Sequence, residues 1–430
     1  MKNSMTHSIL IRGGRIIDPA ENRDEIADLL IENGKVAAIS PHLTIKGHVD
    51  EIDATGKIVS PGLIDLHVHL REPGFEYKET IESGIAAAVF GGFTTICCMP
   101  NTNPINDNAS VTRLILEKAR QVGKTHVLPI GAVTRGSKGE ELSEMADLIS
   151  AGCVAVSDDG RPVSNSLMMR RALEYSKIFD IPVIDHCEDL HLSDGGVMRE
   201  GSVSVALGLK GIPSASEAIM VGRDIELAAL TGGRVHIAHV STAASVRLVR
   251  EAKRRGLPVT AETCPHYFTL TDAAVCQYHT HAKMNPPLST EEDRLEVRAG
   301  LSDGTIDAIA TDHAPHAPWE KEQVISCAPF GIIGLETALP LSLKLVEEGV
   351  LSLPMLIQKL TQGPAEILRK PIGRLRVGDC ADVTIIDPDY EWIVDQNSIQ
   401  SKSKNSPFMG WKMRGRATQV IISGKVIETK

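Results

Sequence analysis

Residues 58–69, IVSPGLIDLHVH, form an apolar segment of strand type that ends in two histidines. Side chains alternate between the faces of a β-strand, so His67 and His69 lie on the same face. Residues two apart on a strand are separated by about 6–7 Å, which allows both imidazoles to reach one metal ion. The segment therefore predicts a strand that presents two ligands at its carboxyl end.

Further segments of the same kind occur along the chain, separated by stretches that can be helical. The eight strand candidates are residues 58–69, 94–99, 126–133, 153–159, 182–188, 235–241, 259–266 and 307–312. Strands that alternate with helices are typical of a parallel α/β architecture. The connection 190–234 is longer than the others and is expected to carry an added loop or helix.

Nearly every strand candidate ends in residues that can bind a metal or a substrate. The ends read His67-Val-His69, Pro100-Asn101, Ser157-Asp158-Asp159, Asp185-His186, His239, Cys264-Pro265-His266 and Thr311-Asp312-His313. In a (β/α)8 barrel all such ends meet at one rim, where catalytic sites lie. A doubly wound open sheet would scatter them, so the sequence predicts an α/β fold with a (β/α)8 TIM-type barrel.

Both ends of the chain read as short strands separated by turns. Segments 8–17, 27–31 and 36–39 are rich in β-formers around the turn Asn33-Gly34, and 381–386 and 420–427 resemble them around Ser423-Gly424. Neither end has enough strands for a stable sheet. We predict one small β-sandwich domain composed of residues 1–58 and 371–430, with the catalytic barrel at 59–370.

The composition argues against nucleic-acid and membrane partners. The 430 residues carry a net charge of −10, and no basic stretch offsets it. The longest apolar run, 85–93, is far below the roughly 20 residues that span a bilayer, and residues 1–15 do not resemble a signal peptide. The eight cysteines form no CxxC pair and are expected to be buried, reduced thiols. We expect a cytoplasmic protein.

The histidines and aspartates at the strand ends are candidate metal ligands. A lone His-x-His pair is a weak signal, and each residue alone fits a solvated or hydrogen-bonded side chain. The set is stronger, because His186, His239 and Asp312 each end a separate strand and join His67 and His69 at the predicted rim. Imidazole and carboxylate together suit Zn²⁺, with Mn²⁺ or Co²⁺ as alternatives.

Several motifs resemble those of the dihydroorotases, a family of the amidohydrolase superfamily of metal-dependent barrels. The run Asp65-Leu-His-Val-His-Leu-Arg71-Glu-Pro-Gly74 resembles the first family motif, and Ala310-Thr-Asp312-His-Ala-Pro-His316 with Lys321 resembles the second. Met99-Pro-Asn101-Thr, His186-Cys-Glu, His239-Val-Ser-Thr and Asn285-Pro-Pro match further blocks in the family order. The resemblance covers nearly the whole chain.

The resemblance implies that His67, His69 and Asp312 hold one zinc ion and that His186 and His239 hold a second. Many relatives bridge the two metals with a carboxylated lysine near the end of strand four, but this strand ends in Ser157-Asp158-Asp159-Gly160. This matches the bacterial branch that uses an aspartate. Asp159 is the candidate bridge and Asp158 its rival, and a simple Asp-Gly turn is the other interpretation. Two zinc ions are expected, while one ion with a weak second site remains an alternative.

The family also implies the reaction and its substrate contacts. Zinc-dependent, reversible cyclisation of N-carbamoyl-L-aspartate to L-dihydroorotate, a step of pyrimidine synthesis, would use water activated by the metal and Asp312 as the general acid and base. The implied substrate contacts are His69, Arg71, Asn101, Asn285, His316, Phe330 and Gly331. Without the resemblance, a rim arginine such as Arg71 is often only solvated, and Asn101 fits a turn.

Two other functions remain open at this stage. One is another cyclic amidohydrolase, an allantoinase or dihydropyrimidinase, although these typically carry the bridging lysine. The other is a catalytically silent barrel that supports a partner such as aspartate transcarbamoylase, although silent relatives characteristically lose metal ligands. A homodimer is expected, and an active enzyme could also bind the transcarbamoylase.

Overall fold

A computed structural model describes residues 8–45 and 47–429. The first seven residues of the predicted small domain, which also belong to the segment compared with signal peptides, lie outside the described residues. The strands are β1 (Ser8–Asp18), β2 (Arg23–Glu32), β3 (Lys35–Ser40), β4 (Asp50–Asp53), β5 (Ile58–Pro61), β6 (Leu63–Val68), β7 (Phe93–Cys98), β8 (His126–Gly131), β9 (Ala155–Ser157), β10 (Val183–Asp185), β11 (Met198–Arg199), β12 (Gly211–Ile212), β13 (Val235–Ile237), β14 (Val259–Thr263), β15 (Ala308–Ile309), β16 (Val383–Ile393), β17 (Lys412–Ile422) and β18 (Lys425–Glu428). The α-helices are α1 (Ile81–Gly91), α2 (Ala109–Val122), α3 (Met145–Ala151), α4 (Ser166–Ser176), α5 (Leu190–Ser193), α6 (Ser202–Leu207), α7 (Ala215–Thr231), α8 (Ala243–Arg254), α9 (Pro265–Thr269), α10 (Glu291–Ser302), α11 (Pro318–Lys321), α12 (Ala338–Glu347), α13 (Leu353–Leu360) and α14 (Gln362–Leu368).

Eight parallel strands form the barrel in the order β6-β7-β8-β9-β10-β13-β14-β15. A parallel bridge between Val68 and His313, with a hydrogen bond from the His69 amide to the His313 carbonyl at 2.9 Å, joins the first strand to the segment after the last. The cylinder is thus nearly closed, and the predicted (β/α)8 barrel is confirmed. Its carboxyl rim gathers the strand ends that the sequence singled out.

All eight predicted barrel strands are present, with one difference. Residues 58–69 contain two strands, β5 and β6, separated by Gly62. A Cβ atom at Gly62 would lie only 2.0 Å from Oγ1 of Thr94, so the backbone passes this point only as glycine. The long connection 190–234 contains α5, α6 and α7 together with the two-stranded pair β11 and β12.

The remaining strands form the small domain from both ends of the chain. They lie in the order β18-β17-β16-β5-β1-β2-β3, and β4 pairs with β1. The predicted turns at Asn33-Gly34 and Ser423-Gly424 have positive φ at both residues, as tight hairpins require. Because β5 pairs with both β1 and β16, it connects the N-terminal and C-terminal halves. The extra sheet domain is confirmed, whereas its boundaries after residues 58 and 370 stay a prediction.

The small domain packs against the barrel through a shared apolar cluster, which includes Ile386, Ala417 and Val420, and through a hydrogen bond. Oγ1 of Thr384 on β16 donates to the carbonyl of Gly92 at 2.7 Å, where α1 ends with a left-handed backbone.

All eight cysteines are free, but only five are buried: Cys276, Cys327 and Cys380 are exposed, so the expectation of buried thiols was wrong for these three. Among the described residues, no helix has the length and apolar character needed to cross a membrane.

Candidate active site

The six predicted metal ligands meet at the carboxyl rim of the barrel. His67 Nε2 lies 3.4 Å from Asp159 Oδ2 and 3.5 Å from Asp312 Oδ1. His69 Nε2 lies 3.0 Å from the same Asp312 oxygen and 3.5 Å from Asp159 Oδ2. On the other side of Asp159, Oδ1 lies 3.4 Å from His239 Nε2 and 3.7 Å from His186 Nδ1. Asp159 therefore lies between two pairs of histidines.

The outer nitrogen of three of these histidines is held by an oxygen acceptor. Nδ1 of His67 faces Glu262 Oε1 at 2.9 Å, and Nδ1 of His69 faces Asn101 Oδ1 at 2.9 Å. Nε2 of His186 faces Glu188 Oε2 at 3.1 Å. An acceptor on one ring nitrogen fixes the proton there and leaves the lone pair on the other nitrogen. For His67 and His69 that lone pair points towards Asp159 and Asp312. For His186 it faces Asp159 Oδ1 at 3.7 Å and His239 Nε2 at 2.9 Å.

The site has the donor set and the unsatisfied atoms that a cation would use. His67 Nε2 and Asp159 Oδ1 are buried and have no hydrogen-bond partner among the described residues. The ligand atoms of His67, His69 and Asp312 lie within 4.8 Å of one another, as do those of His67, Asp159 and His239. Buried polar groups are normally satisfied, so these unsatisfied atoms among histidine and aspartate side chains fit a metal site.

Asp158 and Asp159, which follow β9, the fourth strand of the barrel, have different surroundings. The carboxylate of Asp158 accepts the Thr134 amide at 3.0 Å and also accepts the Thr134 hydroxyl, away from the histidines. The carboxylate of Asp159 faces the four imidazoles. Alternation along the chain thus turns only Asp159 into the site.

Three residues of the rim have left-handed backbones although none is glycine. The φ angles are 61° for Arg71, 37° for His239 and 46° for Asp312. Such conformations are disfavoured for residues with a Cβ and occur where surrounding structure enforces them, often at functional sites. Here they turn side chains at the strand ends towards the centre of the rim.

A cavity of about 350 Å³ opens over the cluster. Its lining includes all of the predicted contacts and ligands except His67, which is fully buried: His69, Arg71, Asn101, Asp159, His186, His239, Asn285, Asp312, His316, Phe330 and Gly331. Arg71 is held by a hydrogen bond from Nε to the Pro315 carbonyl at 3.2 Å. Because the Asn101 oxygen faces His69, its amide nitrogen is left to donate into the cavity.

Two lysines hold the loop of residues 325–331, which forms one wall of the cavity. Nζ of Lys283 donates to the carbonyls of Ile325 and Ala328 at 2.6 Å each, and it lies 4.5 Å from the ring centre of Phe330. Nζ of Lys321, the lysine of the second motif, donates to the carbonyls of Pro329 at 2.8 Å and Gly331 at 3.1 Å. The two lysine ammonium groups thus hold the backbone carbonyls of this loop.

Burial and charge shift the pKa values of several groups at the rim. Burial raises the pKa of Asp312, but the charge of His67 and the hydrogen bond to His69 outweigh it, so the net shift is downward. The pKa of Asp159 is likewise well below its usual range, because the surrounding histidines outweigh burial. Burial lowers the pKa of His316 to about 3. The site therefore pairs ionised carboxylates with a neutral His316.

Sequence reasoning missed several supporting residues. Glu262 on β14 also faces His236, with Oε2 3.2 Å from its Nε2, and Glu188 accepts the Asn285 amide at 3.0 Å. Asp65 accepts the amides of His67 and Thr311 at 3.1 and 3.0 Å. Glu188 and Asp65 belong to the quoted motifs, so their proximity to the ligands was a usable signal. Glu262 had no such signal.

Comparisons with known proteins identify the family of the chain. Residues 56–245 match the family model described as Dihydro-orotase-like. A protein named Dihydroorotase from Geobacter metallireducens is 56% identical over 420 residues, which are 98% of this chain and 99% of that protein. Another of the same name from Geotalea daltonii is 55% identical over 423 residues, 98% of this chain and 100% of that protein.

Solved structures with the same fold include a hydantoinase and a dihydropyrimidinase. The L-hydantoinase (dihydropyrimidinase) from Arthrobacter aurescens superposes with a TM-score of 0.86 at 26% identity, covering 99% of this chain and 96% of that chain. A dihydropyrimidinase from Brevibacillus agri gives a TM-score of 0.83 at 22% identity over 98% of this chain and 95% of that chain, and this supports the fold alone.

Proposed function

This chain belongs to the dihydroorotase family, and from that premise we propose that its rim cluster binds two zinc ions and catalyses the reversible cyclisation of N-carbamoyl-L-aspartate to L-dihydroorotate. The activity and its role in pyrimidine synthesis come from the family. The metal identity, the metal count and the residue roles are the proposed part. They rest on the contacts at the rim.

The residues fit two adjacent zinc ions. His67, His69 and Asp312 would hold the first, His186 and His239 would hold the second, and Asp159 would bridge them, since its two oxygens face the two histidine pairs separately. Imidazole and carboxylate are usual zinc ligands in catalytic sites. Bound zinc lowers the pKa of a coordinated water to about 7 and polarises a carbonyl oxygen.

The substrate carboxylate that does not react would be bound by residues that line the cavity. Arg71 offers a planar guanidinium that pairs with a carboxylate, and Asn101 and His316 offer N–H donors beside it. Asn285 and the backbone at Phe330 and Gly331 would contact the ring. These residues orient the substrate so that the reacting atoms lie over the aspartates.

Asp312 would move the proton during ring closure. As the carbamoyl nitrogen forms its bond to the carbon of the side-chain carboxyl, the Asp312 carboxylate takes the proton from that nitrogen. It then gives this proton to the departing carboxyl oxygen, which leaves as water after uptake of a second proton from solution. Ring opening takes the reverse path. His69, 3.0 Å from Asp312 Oδ1, keeps that oxygen in place.

One observation carries the proposal: ring nitrogens of four histidines from three strands surround the Asp159 carboxylate beneath a cavity that also contains Arg71. The direct test combines metal analysis of the purified protein with assays of both reaction directions. We expect close to two zinc ions per subunit and turnover in both directions. Protein without stoichiometric metal, or without turnover of dihydroorotate, would refute it.

A cyclic amidase of different specificity is the main competing function, because the structural neighbours include hydantoinases. The fourth barrel strand, β9, is followed here by Asp158-Asp159 and not by a lysine. The cavity is also lined by Arg71 and Asn101, which suit a substrate carboxylate. Parallel assays with dihydroorotate, allantoin and dihydrouracil separate the two. We expect turnover of dihydroorotate to exceed the others by orders of magnitude.

The remaining predictions concern the assembly and its location. A cytoplasmic homodimer, with or without association with aspartate transcarbamoylase, stays a prediction. Light scattering of the purified protein, alone and mixed with the transcarbamoylase of the same organism, measures both assemblies.

A further inference from the structure

We propose that Lys78 is a positioning residue that fixes the proton of His316 on Nε2, so that His316 and Arg71 together present N–H donors to the substrate carboxylate. This inference rests on the proposed role of the cavity in binding that carboxylate. Lys78 lies outside the motif residues that the function uses, and its side chain does not line the cavity.

Two obligate donors face the two nitrogens of the His316 ring. Nζ of Lys78 lies 3.2 Å from Nδ1, and Nη2 of Arg71 lies 3.4 Å from Nε2. Neither lysine nor arginine can accept a hydrogen bond. A neutral imidazole has one acceptor nitrogen and a protonated imidazole has none, so this ring can satisfy only one of the two cations.

The shorter contact and the local packing favour Lys78. Its ammonium group is held 3.0 Å from Glu320 Oε1 and lies over the rings of Phe75 and Tyr77, at 5.6 and 5.5 Å from their centres. Its side chain is only 13% exposed, so it is fixed beside Nδ1. With Nδ1 accepting from Lys78, the ring proton is on Nε2.

Glu320 is the group that could reverse this arrangement. Its Oε2 lies 3.5 Å from Nδ1 and would accept a proton placed there. However, its other oxygen pairs with Lys78 at a shorter distance, and the Ala317 amide donates to Oε2 at 3.0 Å. The carboxylate of Glu320 thus serves first to hold the lysine.

The consequence is a pair of donors without an acceptor at the wall of the cavity. His316 Nε2–H and Arg71 Nη2 face each other across 3.4 Å, and neither can accept from the other. A carboxylate placed between them and the metal cluster would satisfy both. The unsatisfied pair therefore matches the substrate group that must be bound, and Lys78 creates it without touching the substrate.

The test reads the His316 tautomer and the kinetics in the zinc-loaded enzyme. In protein labelled with ¹⁵N-histidine, the His316 signals are assigned by their loss in His316→Asn. We expect an unprotonated Nδ1 in wild type and in Lys78→Arg, and a proton shifted to Nδ1 in Lys78→Met. We also expect KM for dihydroorotate to rise about tenfold in Lys78→Met with kcat within about threefold, because binding common to the ground and transition states is lost.

Lys210→Met is the matched control, since it removes an exposed lysine that pairs with Asp194 on the surface. Its tautomer and KM should equal those of wild type. Protonated Nδ1 in wild type, an unchanged tautomer in Lys78→Met, or a shifted tautomer with unchanged KM would each overturn the inference. If Lys78→Met does not fold, the tautomers of wild type and Lys78→Arg decide it. The tautomer is read without substrate, so a failure of the proposed function would instead show as absent turnover in wild type.

Discussion

The carboxylate of Asp312 contacts His69 and His67 through one oxygen, Oδ1, at 3.0 and 3.5 Å. We expect its other oxygen, Oδ2, to take part in the proton transfer. The left-handed backbone at Asp312 fixes this orientation. Metal binding and proton transfer can therefore be separated by a substitution that keeps an oxygen in place.

Asp312→Asn should keep most of the bound metal and lose more than about a hundredfold in kcat. The amide retains an oxygen ligand but cannot take a proton from the substrate nitrogen, and general acid–base catalysis contributes on this scale. Metal analysis and steady-state assays of the same preparation measure the two effects. Turnover near that of wild type would remove Asp312 from the proton transfer.

Asp159→Asn and Asp158→Asn form a matched pair of neighbouring substitutions. Asp159→Asn should lose at least one zinc ion per subunit, since the bridging charge between the histidine pairs is removed. Asp158→Asn should keep both ions and lose only stability, about 1–3 kcal/mol, because it disturbs the hydrogen bonds to Thr134. Equal metal loss in both variants would contradict the assignment of the bridge.

Residues at the ends of strands were the ones that the sequence could identify. The proposed ligands are recognisable because each lies at the end of an apolar strand, and the alternation of side chains favoured only one of Asp158 and Asp159. Asn405 could not be found in this way. It lies between β16 and β17, far along the chain, yet its amide donates to the carbonyls of Ala314 and Gly331 at 2.9 and 3.0 Å. Only tertiary structure brings it to the rim.

Among the elements, the loop of residues 325–331 is held by two lysines, Lys283 and Lys321, in addition to its backbone hydrogen bonds. Lys321 is almost fully buried, with 1% of its surface exposed. Burial lowers its pKa to about 7, and the nearby charge of Lys283 adds to the effect. An unfolded lysine has a pKa of about 10.4. At pH values between these two pKa values, Lys321 is protonated in the unfolded chain and largely unprotonated in the folded one.

Lys321→Met should therefore change the pH dependence of stability. The free energy of unfolding rises with pH where the unfolded state binds more protons than the folded state. The stability of wild type relative to the variant therefore increases as the pH rises above about 7. Between pH 6.5 and 8.5 the unfolding free energy of wild type minus that of the variant should rise by about 2 kcal/mol. Thermal unfolding of the zinc-loaded proteins at both pH values measures this difference, with Lys210→Met as the control. A difference that falls with rising pH would contradict the burial of a charged lysine.

The elements themselves were largely predictable. Short apolar strands with helical connections identify the barrel, and Asn33-Gly34 and Ser423-Gly424 identify the hairpins of the small domain. The division of residues 58–69 into β5 and β6 was missed, because Gly62 in a strand pattern also fits a continuous strand. The pair β11 and β12 was missed because two-residue strands leave no periodic pattern.

For the molecule as a whole, metal binding and folding should be coupled. The four proposed histidine ligands lie on β6 or just after β6, β10 and β13. Bound metal would therefore connect strands that are distant along the chain. An ion that binds only the folded state stabilises it by about 4 kcal/mol at a thousand times its Kd.

Removal of metal with a chelator should therefore lower the Tm by several degrees, and added zinc should restore it. Asp159→Asn should show a smaller shift than wild type, while Asp158→Asn should show the full shift. Identical Tm values with and without metal would mean that no ion links these strands.

Anomalous diffraction at the zinc edge, from crystals grown with dihydroorotate, tests the two-metal site most directly. We expect two peaks, one among His67, His69, Asp159 and Asp312 and one among Asp159, His186 and His239, with the substrate carboxylate against Arg71. Peaks elsewhere in the molecule, or an ordered substrate at a rim without metal, would contradict it.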